Sequence, residues 1–438
     1  MKNYKKIKLA SVGSNFEREP LIRPFGFKGG YLSELWQGVS LLQSTSGIKK
    51  VGLSTQSTLW SDATVFASHT ESGGNALMYA IMEYALQLIE GETFRDPIEL
   101  QDCILDKVYA YGKKITENPD LRETFILNAL VSLDNAAWLL YAAENGICSF
   151  DGMIPKKYRP ALSHHHKKVA GIPLISYNTS IKEITKLAQA GYFFLKIKIG
   201  QPGTQEEMLS KDKERVSLIH EAIGDYTTPH TNTGKLFYYF DVNGRYEKKD
   251  TLLKLIDHLE KIGALDQVAI IEEPFPEDVE IDVNDVPVRI AADESAHTVK
   301  DVVERIEMGY KAIALKAIAK TLSMTMGMAK MAAKHHVPCF CADLTVNPIL
   351  VDWNKNVAAR LDAFPGLNGV GLLESNGIQN YKNWATMESY LPYPDASWLK
   401  PDNGIYTLNK EFYDKSGGVL TNSEHYMNLF DKGNNKNQ

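Results

Sequence analysis

The spacing of apolar positions changes its grammar twice along the chain. Residues 1 to about 65 show short alternating runs. Ile7–Ala10 and Lys49–Thr55 predict strands. Between them, Pro20 to Gly38 is rich in glycine and aromatics and predicts a loop that carries Arg23, Phe25, Lys28, Tyr31 and Trp36. That loop reads either as a lid over a polar ligand or as a surface turn whose aromatics pack down. From Gly74 to Glu144 the period becomes helical, through Ala76-Leu77, Ala80-Ile81, Tyr84-Ala85 and Leu88-Ile89, and again from Ile126 to Ala143. Gly146, Gly152, Pro155 and Pro160 then mark a hinge.

From about Ala170 short apolar strands alternate with helices. Eight strands are predicted: Ile172–Tyr177, Phe193–Ile199, Phe237–Asp241, Val268–Glu272, Arg289–Ala292, Ala312–Lys316, Val337–Cys341 and Val370–Leu373. Eight such repeats in roughly 200 residues suit a closed (β/α)8 barrel. A doubly wound open sheet is the rival, but it calls for a G-x-G-x-x-G turn that this chain lacks. The expected layout is an N-terminal α+β capping domain over 1–150, a barrel over 170–375, and a tail over 376–438 that packs back.

Composition narrows the function classes. The chain has 438 residues, 44% hydrophobic and 23% charged, the balance of a globular protein. A net charge of -6, with no basic cluster interleaved with aromatics, argues against nucleic acid as a partner. No apolar run reads as long enough to span a bilayer, so no membrane partner is expected. Cys103, Cys148, Cys339 and Cys341 form neither a zinc spacing nor a disulfide framework. A cytoplasmic location and a homo-oligomer are expected.

The chemistry collects at the strand ends, where barrel enzymes keep their sites. The second strand ends in Lys196-Ile-Lys198, the third in Asp241-Val-Asn243, and the fourth in Glu272-Glu273-Pro274. The fifth ends in Asp293-Glu294 and the sixth in Lys316; Asp343 and Glu374 follow the seventh and eighth. In a ring of eight, strands two and six are opposite, and three, four and five fill the arc between. Carboxylates converging on that arc repel one another unless a cation sits among them. All-oxygen ligands favour Mg²⁺, with Mn²⁺ as the alternative. Side chains alternate along a strand, which favours Glu272 over Glu273 and Asp293 over Glu294 as the inward acids. A carboxylate held there would have its α-carbon between two lysines.

Lys-x-Lys, Asp-x-Asn, Glu-Glu-Pro, Asp-Glu-Ser and a strand ending in lysine, in that order, resemble the enolase superfamily. The likeness is to its muconate-lactonising enzyme, dipeptide epimerase and mandelate racemase branch. Leu133-Asp134-Asn135-Ala136-Ala137-Trp138 is similar to that family's helix before the barrel, and Pro24-Phe25 to its capping loop. The resemblance implies Asp241, Glu272 and Asp293 as Mg²⁺ ligands, supported by Asn243, Glu273 and Glu294. It implies Lys198 and Lys316 as the acid/base pair, with Lys320 as a competitor one turn beyond Lys316. Lys196 would orient the substrate carboxylate and lower the basicity of Lys198. Arg23, Phe25, Asp343 and Glu374 are further candidates for contact with a small-molecule carboxylate. The family's Gly-Gly turn after strand six is replaced by Ala317–Leu322, and the Asp-x-Asp of its dipeptide epimerases by Glu374-Ser375-Asn376. The implied activity is racemisation or epimerisation through a metal-stabilised enolate. An acid-sugar dehydratase, a cycloisomerase or a non-catalytic ligand-binding barrel are the alternatives.

Overall fold

The computed structural model describes residues 4–27 and 30–431. Lys28 lies outside the described residues. The first three strands, β1 (Ile7–Phe27), β2 (Gly30–Ser44) and β3 (Lys49–Gln56), pair antiparallel, and β4 (Thr93–Phe94) adds to the start of β1. The Pro20–Gly38 loop expected from sequence is therefore a hairpin: Pro20 faces Glu34, Phe25 faces Leu32 and Gly26 faces Tyr31, with a register shift between Pro20 and Phe25. Its prolines, Pro20 and Pro24, fit within β1 because β4 covers that strand only at Ile7 and Lys8. Beyond them that edge of β1 meets an isolated antiparallel bridge of Leu21 to Tyr381 but no further strand among the described residues, so a missing proline N–H costs nothing there.

Helices α1 (Thr58–Ser61), α2 (Ala63–Ile89), α3 (Pro97–Ile115) and α4 (Glu123–Glu144) back this sheet, and α5 (Phe150–Met153) leads out of the layer. By length and composition α4 passes as a membrane-spanning helix, contrary to the expectation that no run is long enough. It is apolar all round because protein surrounds it: the whole apolar window is buried inside the fold.

The barrel strands are β5 (Lys168–Ile172), β6 (Leu174–Ile175), β7 (Phe194–Lys198), β8 (Phe237–Asp241), β9 (Val268–Glu272), β10 (Ile290–Ala292), β11 (Ala312–Leu315), β12 (Cys339–Cys341) and β13 (Gly371–Glu374). Between them run α6 (Ile181–Gln189), α7 (Gln205–Ile223), α8 (Lys249–Lys261), α9 (Val299–Glu307), α10 (Leu322–Lys334) and α11 (Pro348–Ala358). Ser180 with Glu183, and Thr204 with Glu207, start α6 and α7 as reciprocal capping boxes. β5 and β6 are halves of one strand, broken at Pro173. The first half pairs parallel with β13 and the second with β7, and this closes the ring. β14 (Ile405–Thr407) then pairs antiparallel with β5 from outside. The fold is a modified, enolase-like (β/α)8 barrel with an α+β capping domain.

The cap is bonded to the barrel's C-terminal face. Gln37 Oε1 accepts from Asn347 Nδ2 at 2.9 Å, and Gln37 Nε2 donates to the Tyr381 hydroxyl at 2.9 Å. That hydroxyl donates to the Thr345 carbonyl at 2.6 Å. Lys382 N donates to the Pro20 carbonyl at 3.0 Å. Asp134, on α4, accepts from the backbone N–H groups of Leu322 and Ser323 at 2.9 and 3.1 Å, and from the Ser323 hydroxyl. A cap residue thus satisfies the first turn of barrel helix α10, whose free N–H groups need acceptors.

Asp134→Ala leaves those N–H groups buried without a partner. It should lower stability by about 1–3 kcal/mol, measured as a drop in the denaturant midpoint at unchanged slope.

Candidate active site

The site begins with two strand ends whose backbone turns left-handed. Asn243, two residues past β8, has φ 50°, and Glu273, directly after β9, has φ 43°. Non-glycine residues seldom adopt this conformation, and it clusters at functional sites. At Glu273 the turn separates two adjacent acids. Glu272 reaches inward to Lys196 Nζ at 3.0 Å and is bonded by the Tyr239 hydroxyl. Glu273 turns toward the β10 loop and accepts from Asp293 N, Ser295 N and the Ser295 hydroxyl at 2.8, 3.1 and 3.0 Å. Past β7 the chain leaves the ring at Gly200 (φ 78°), where a Cβ would come within 2.8 Å of the Val242 carbonyl. No other residue fits that turn.

Lys196 is the hub of the charged cluster. Its ammonium lies 3.0 Å from Asp241 Oδ2, 3.0 Å from Glu272 Oε1 and 3.1 Å from Glu374 Oε2. Burial works against this ammonium, but Asp241, Glu272 and Glu374 together outweigh it and hold the amine well above the ordinary lysine value. Lys198 donates to Asp241 Oδ2 at 2.6 Å and to Asn243 Oδ1 at 2.5 Å. Asn243 donates onward to Glu294 Oε1 at 3.1 Å. Across the ring, Lys316 pairs with Asp293 Oδ2, and its ammonium sits 4.3 Å from the centre of the Trp60 ring. Lys320 donates to the carbonyls of Asp293 and Ala296 at 2.6 and 2.8 Å. All four lysines are buried.

Glu272, Asp293 and Glu294 each offer a carboxylate oxygen, and the three oxygens lie within 4.8 Å of one another. Asp241 stands beside this group, with one oxygen shared between Lys196 and Lys198. Burial pushes the Glu272 carboxyl up to about 8; Lys196 lowers it, and Asp293 and Glu294 raise it further. Asp293 goes the other way, because Lys316, Lys320 and Lys196 outweigh its burial and hold its carboxyl far below the usual range. Three buried acids this close fit a hard divalent cation. Glu294 Oε2, which is buried, has no partner among the described residues and so keeps a free acceptor for one.

Lys196, Lys198, Asp241, Asp293, Glu294 and Lys316 floor a cavity, and the cap supplies its roof. Leu21, Phe25, Leu32, Leu35, Ser57 and Trp60 come from the cap, and Lys198, Lys316, Asp343, Glu374 and Asn376 are among the barrel residues. Of the two hairpin candidates, Phe25 lines the cavity and Arg23 does not; Arg23 is exposed. Asp343 and Glu374 line it, but both are engaged. Asp343 accepts from Leu344 N and Asn376 N at 2.7 and 2.8 Å, while Glu374 accepts from Asp343 N at 3.1 Å and from Asn376 Nδ2 at 3.2 Å. Sequence reasoning missed Trp60, Asn376 and the three leucines. Trp60 sits on one turn of helix after β3, and no local periodicity marks it. Asn128 of α4 fixes that turn, accepting from Ser57 N at 3.0 Å and donating to the Thr55 carbonyl at 3.0 Å.

Residues 180–369 match the model of the family described as enolase C-terminal domain-like. Among solved structures, a member of the enolase superfamily from Listeria innocua shows a TM-score of 0.65 at 17% identity, over 97% of this chain and 97% of that one. A dipeptide epimerase from Enterococcus faecalis, complexed with Mg and L-Leu-L-Tyr, gives 0.61 at 17% identity over 86% and 92%. The L-Ala-D/L-Glu epimerase from Bacillus subtilis gives 0.61 at 15% over 86% and 92%. At such identities the structural likeness is one of fold. No curated protein matches the chain. Residues 180–369, most of the barrel, are similar to the enolase C-terminal domain-like family, and the chain as a whole shares the fold of these structures.

Burial, with Glu374 alongside, raises the Asp343 carboxyl to about 6. An acid raised in the folded state binds its proton more tightly there. Its contribution to stability is full below the unfolded value near 4 and is lost as pH rises through about 6. Unfolding free energies measured from pH 4 to 7 should carry a falling component on the order of 2–3 kcal/mol that Asp343→Asn lacks.

Proposed function

We propose that this chain is a Mg²⁺-dependent enzyme that removes the α-proton of a carboxylate and racemises or epimerises that carbon, with Lys198 and Lys316 as opposed bases. The likeness of residues 180–369 to the enolase C-terminal domain-like family supports an enzyme of the isomerase or lyase type. One observation carries the reading. Lys198 at the end of β7 and Lys316 just past β11 line a single cavity, with β8, β9 and β10 between them in the sheet. A substrate α-carbon held in that cavity has an amine on each side.

The residues fit the cation. Glu272, Asp293 and Glu294, with Asp241 adjacent, would hold Mg²⁺ (or Mn²⁺). When bound, such an ion acts as a Lewis acid that lowers the cost of negative charge on the substrate carboxylate. The protein's own groups do the rest. Lys196, anchored on three acids, offers positive charge beside that carboxylate. Lys198, oriented by Asp241 and Asn243, exchanges a proton on one face. Lys316, fixed between Asp293 and Trp60, exchanges it on the other. The leucines and Phe25 of the cap exclude water from the proton transfer. They also favour a substrate with an apolar group over a hydroxyl-rich sugar acid, which sets racemase or epimerase above acid-sugar dehydratase. A cycloisomerase shares the first step.

Two measurements test this. Mg²⁺ binding only to the native fold should raise the melting temperature and EDTA should lower it, by about 2.7 kcal/mol of stability at a hundredfold excess over Kd. Glu272→Gln and Asp293→Asn should abolish that shift; absence of any shift in the wild type counts against the metal. Lys198→Ala and Lys316→Ala should each cut turnover at least ~10³-fold with the fold intact. Each should still exchange the α-proton with solvent deuterium from one enantiomer only, and exchange from both would refute the two-base scheme.

A further inference from the structure

Tyr239 is wholly buried inside the barrel, and the proton-transfer scheme gives it no part. On β8 it stands two residues before Asp241, so the two side chains share the inward face. The parallel register sets two rungs. Lys196, Tyr239 and Ile270 form the lower one; Lys198, Asp241 and Glu272 form the upper one. Both polar side chains of the lower rung reach up to the acids above. The Lys196 ammonium lies 3.0 Å from Asp241 Oδ2 and 3.0 Å from Glu272 Oε1. The Tyr239 hydroxyl donates to the other oxygen of the same carboxylate, Glu272 Oε2.

The ring is fixed as well. It packs edge-on against Phe340, with centroids 5.4 Å apart, and against Phe194 at 6.2 Å. The Lys196 ammonium sits 4.8 Å from its centre. One side chain therefore touches both the acid and the hub lysine. Glu272 needs such a tether. It is wholly out of water, and its carboxylate stands within 4.8 Å of the oxygens of Asp293 and Glu294, which repel it. An ionised carboxylate has about four lone-pair directions. Lys196 and Tyr239 take one on each oxygen, so both oxygens remain able to ligate.

We infer that Tyr239 is a positioning residue for the cation: its hydroxyl fixes the plane of the Glu272 carboxylate beside Asp293 and Glu294, and its ring keeps the Lys196 ammonium on the opposite oxygen. The inference rests on the metal reading above. A buried phenol needs an acceptor for its O–H, and any nearby oxygen would serve. Here the acceptor is a candidate metal ligand. A phenylalanine fills the same space but leaves Glu272 tethered at Oε1 alone, free to turn away from its like-charged neighbours. Hydrogen-bond partners that orient a ligating carboxylate set metal affinity through this restraint.

The test is the Mg²⁺ affinity of the full chain, titrated calorimetrically with magnesium chloride alone, beside melting curves taken in EDTA. It is run on the wild type, Tyr239→Phe and Phe240→Leu. Tyr239→Phe keeps the ring against Phe340 and Lys196 and removes only the hydroxyl, so its Kd for Mg²⁺ should rise about tenfold. Phe240, also buried, is the next residue on β8 and points to the other face. Phe240→Leu should therefore lower the melting temperature and leave Kd unchanged. A hydroxyl that serves only the fold would lower the melting temperature of Tyr239→Phe with Kd unchanged, and that result overturns the inference. An equal rise of Kd in Phe240→Leu overturns it too, because the effect would then follow from lost stability. Wild type that binds Mg²⁺ while Tyr239→Phe binds it as tightly leaves the metal reading standing and removes only the role of Tyr239. No binding by the wild type overturns both.

Discussion

A lattice of buried opposite charges at the barrel mouth is the constraint on which the rest of this structure depends. Lys196, Lys198, Lys316 and Lys320 are each almost wholly out of water, and so are Asp241, Glu272, Asp293, Glu294 and Glu374. An isolated ion in such a place costs several kcal/mol even after the protein relaxes. Each member is therefore tolerable only because the others are there. Lys196 shows this most plainly: burial alone would strip its proton, and three carboxylates keep it. A lattice of this kind is a poor way to stabilise a fold and a good way to hold fixed charges where a reaction needs them.

The scaffold serves that lattice by locking its edges. The left-handed turns at Asn243 and Glu273 point neighbouring polar groups in different directions, so that Glu272 enters the mouth while Glu273 ties down the backbone of the β10 loop. The cap is held by buried polar bonds: Asp134 at the start of α10, and Gln37 on Asn347 and Tyr381. These bonds connect the hairpin to the segments that carry Thr345 and Asn376, both of which line the cavity. Roof and floor are thereby one hydrogen-bonded body, and the position of Trp60 over Lys316 depends on the helix that also caps α10.

Much of the barrel was legible in the sequence because its information is local. Each strand is a short apolar run closed by a polar residue, and Phe237–Asp241 and Val268–Glu272 are seen with the limits expected. The polar residues at those ends stood out for the same reason. What sequence did not show was non-local. Pro173 splits the first barrel strand, so that its two halves close the ring with different partners. The Pro20–Gly38 hairpin tolerates its prolines because they fall along a strand edge that β4 does not reach. Trp60 and the cap leucines meet the lysines only after two layers have folded together, and no spacing within either layer encodes that meeting.

The two candidate bases are held by unlike surroundings, and the difference bears on how they work. Lys198 is gripped by hydrogen-bonding oxygens, Asp241 on one side and Asn243 on the other, in a polar corner. Lys316 has one carboxylate and an aromatic face, which attracts the ammonium without accepting a directional hydrogen bond. An amine held by fixed acceptors keeps its direction when it loses a proton only if those acceptors stay in place. An amine under a ring keeps its position through packing, whatever its proton count. The two faces of the site therefore hold their amines in place by different physics.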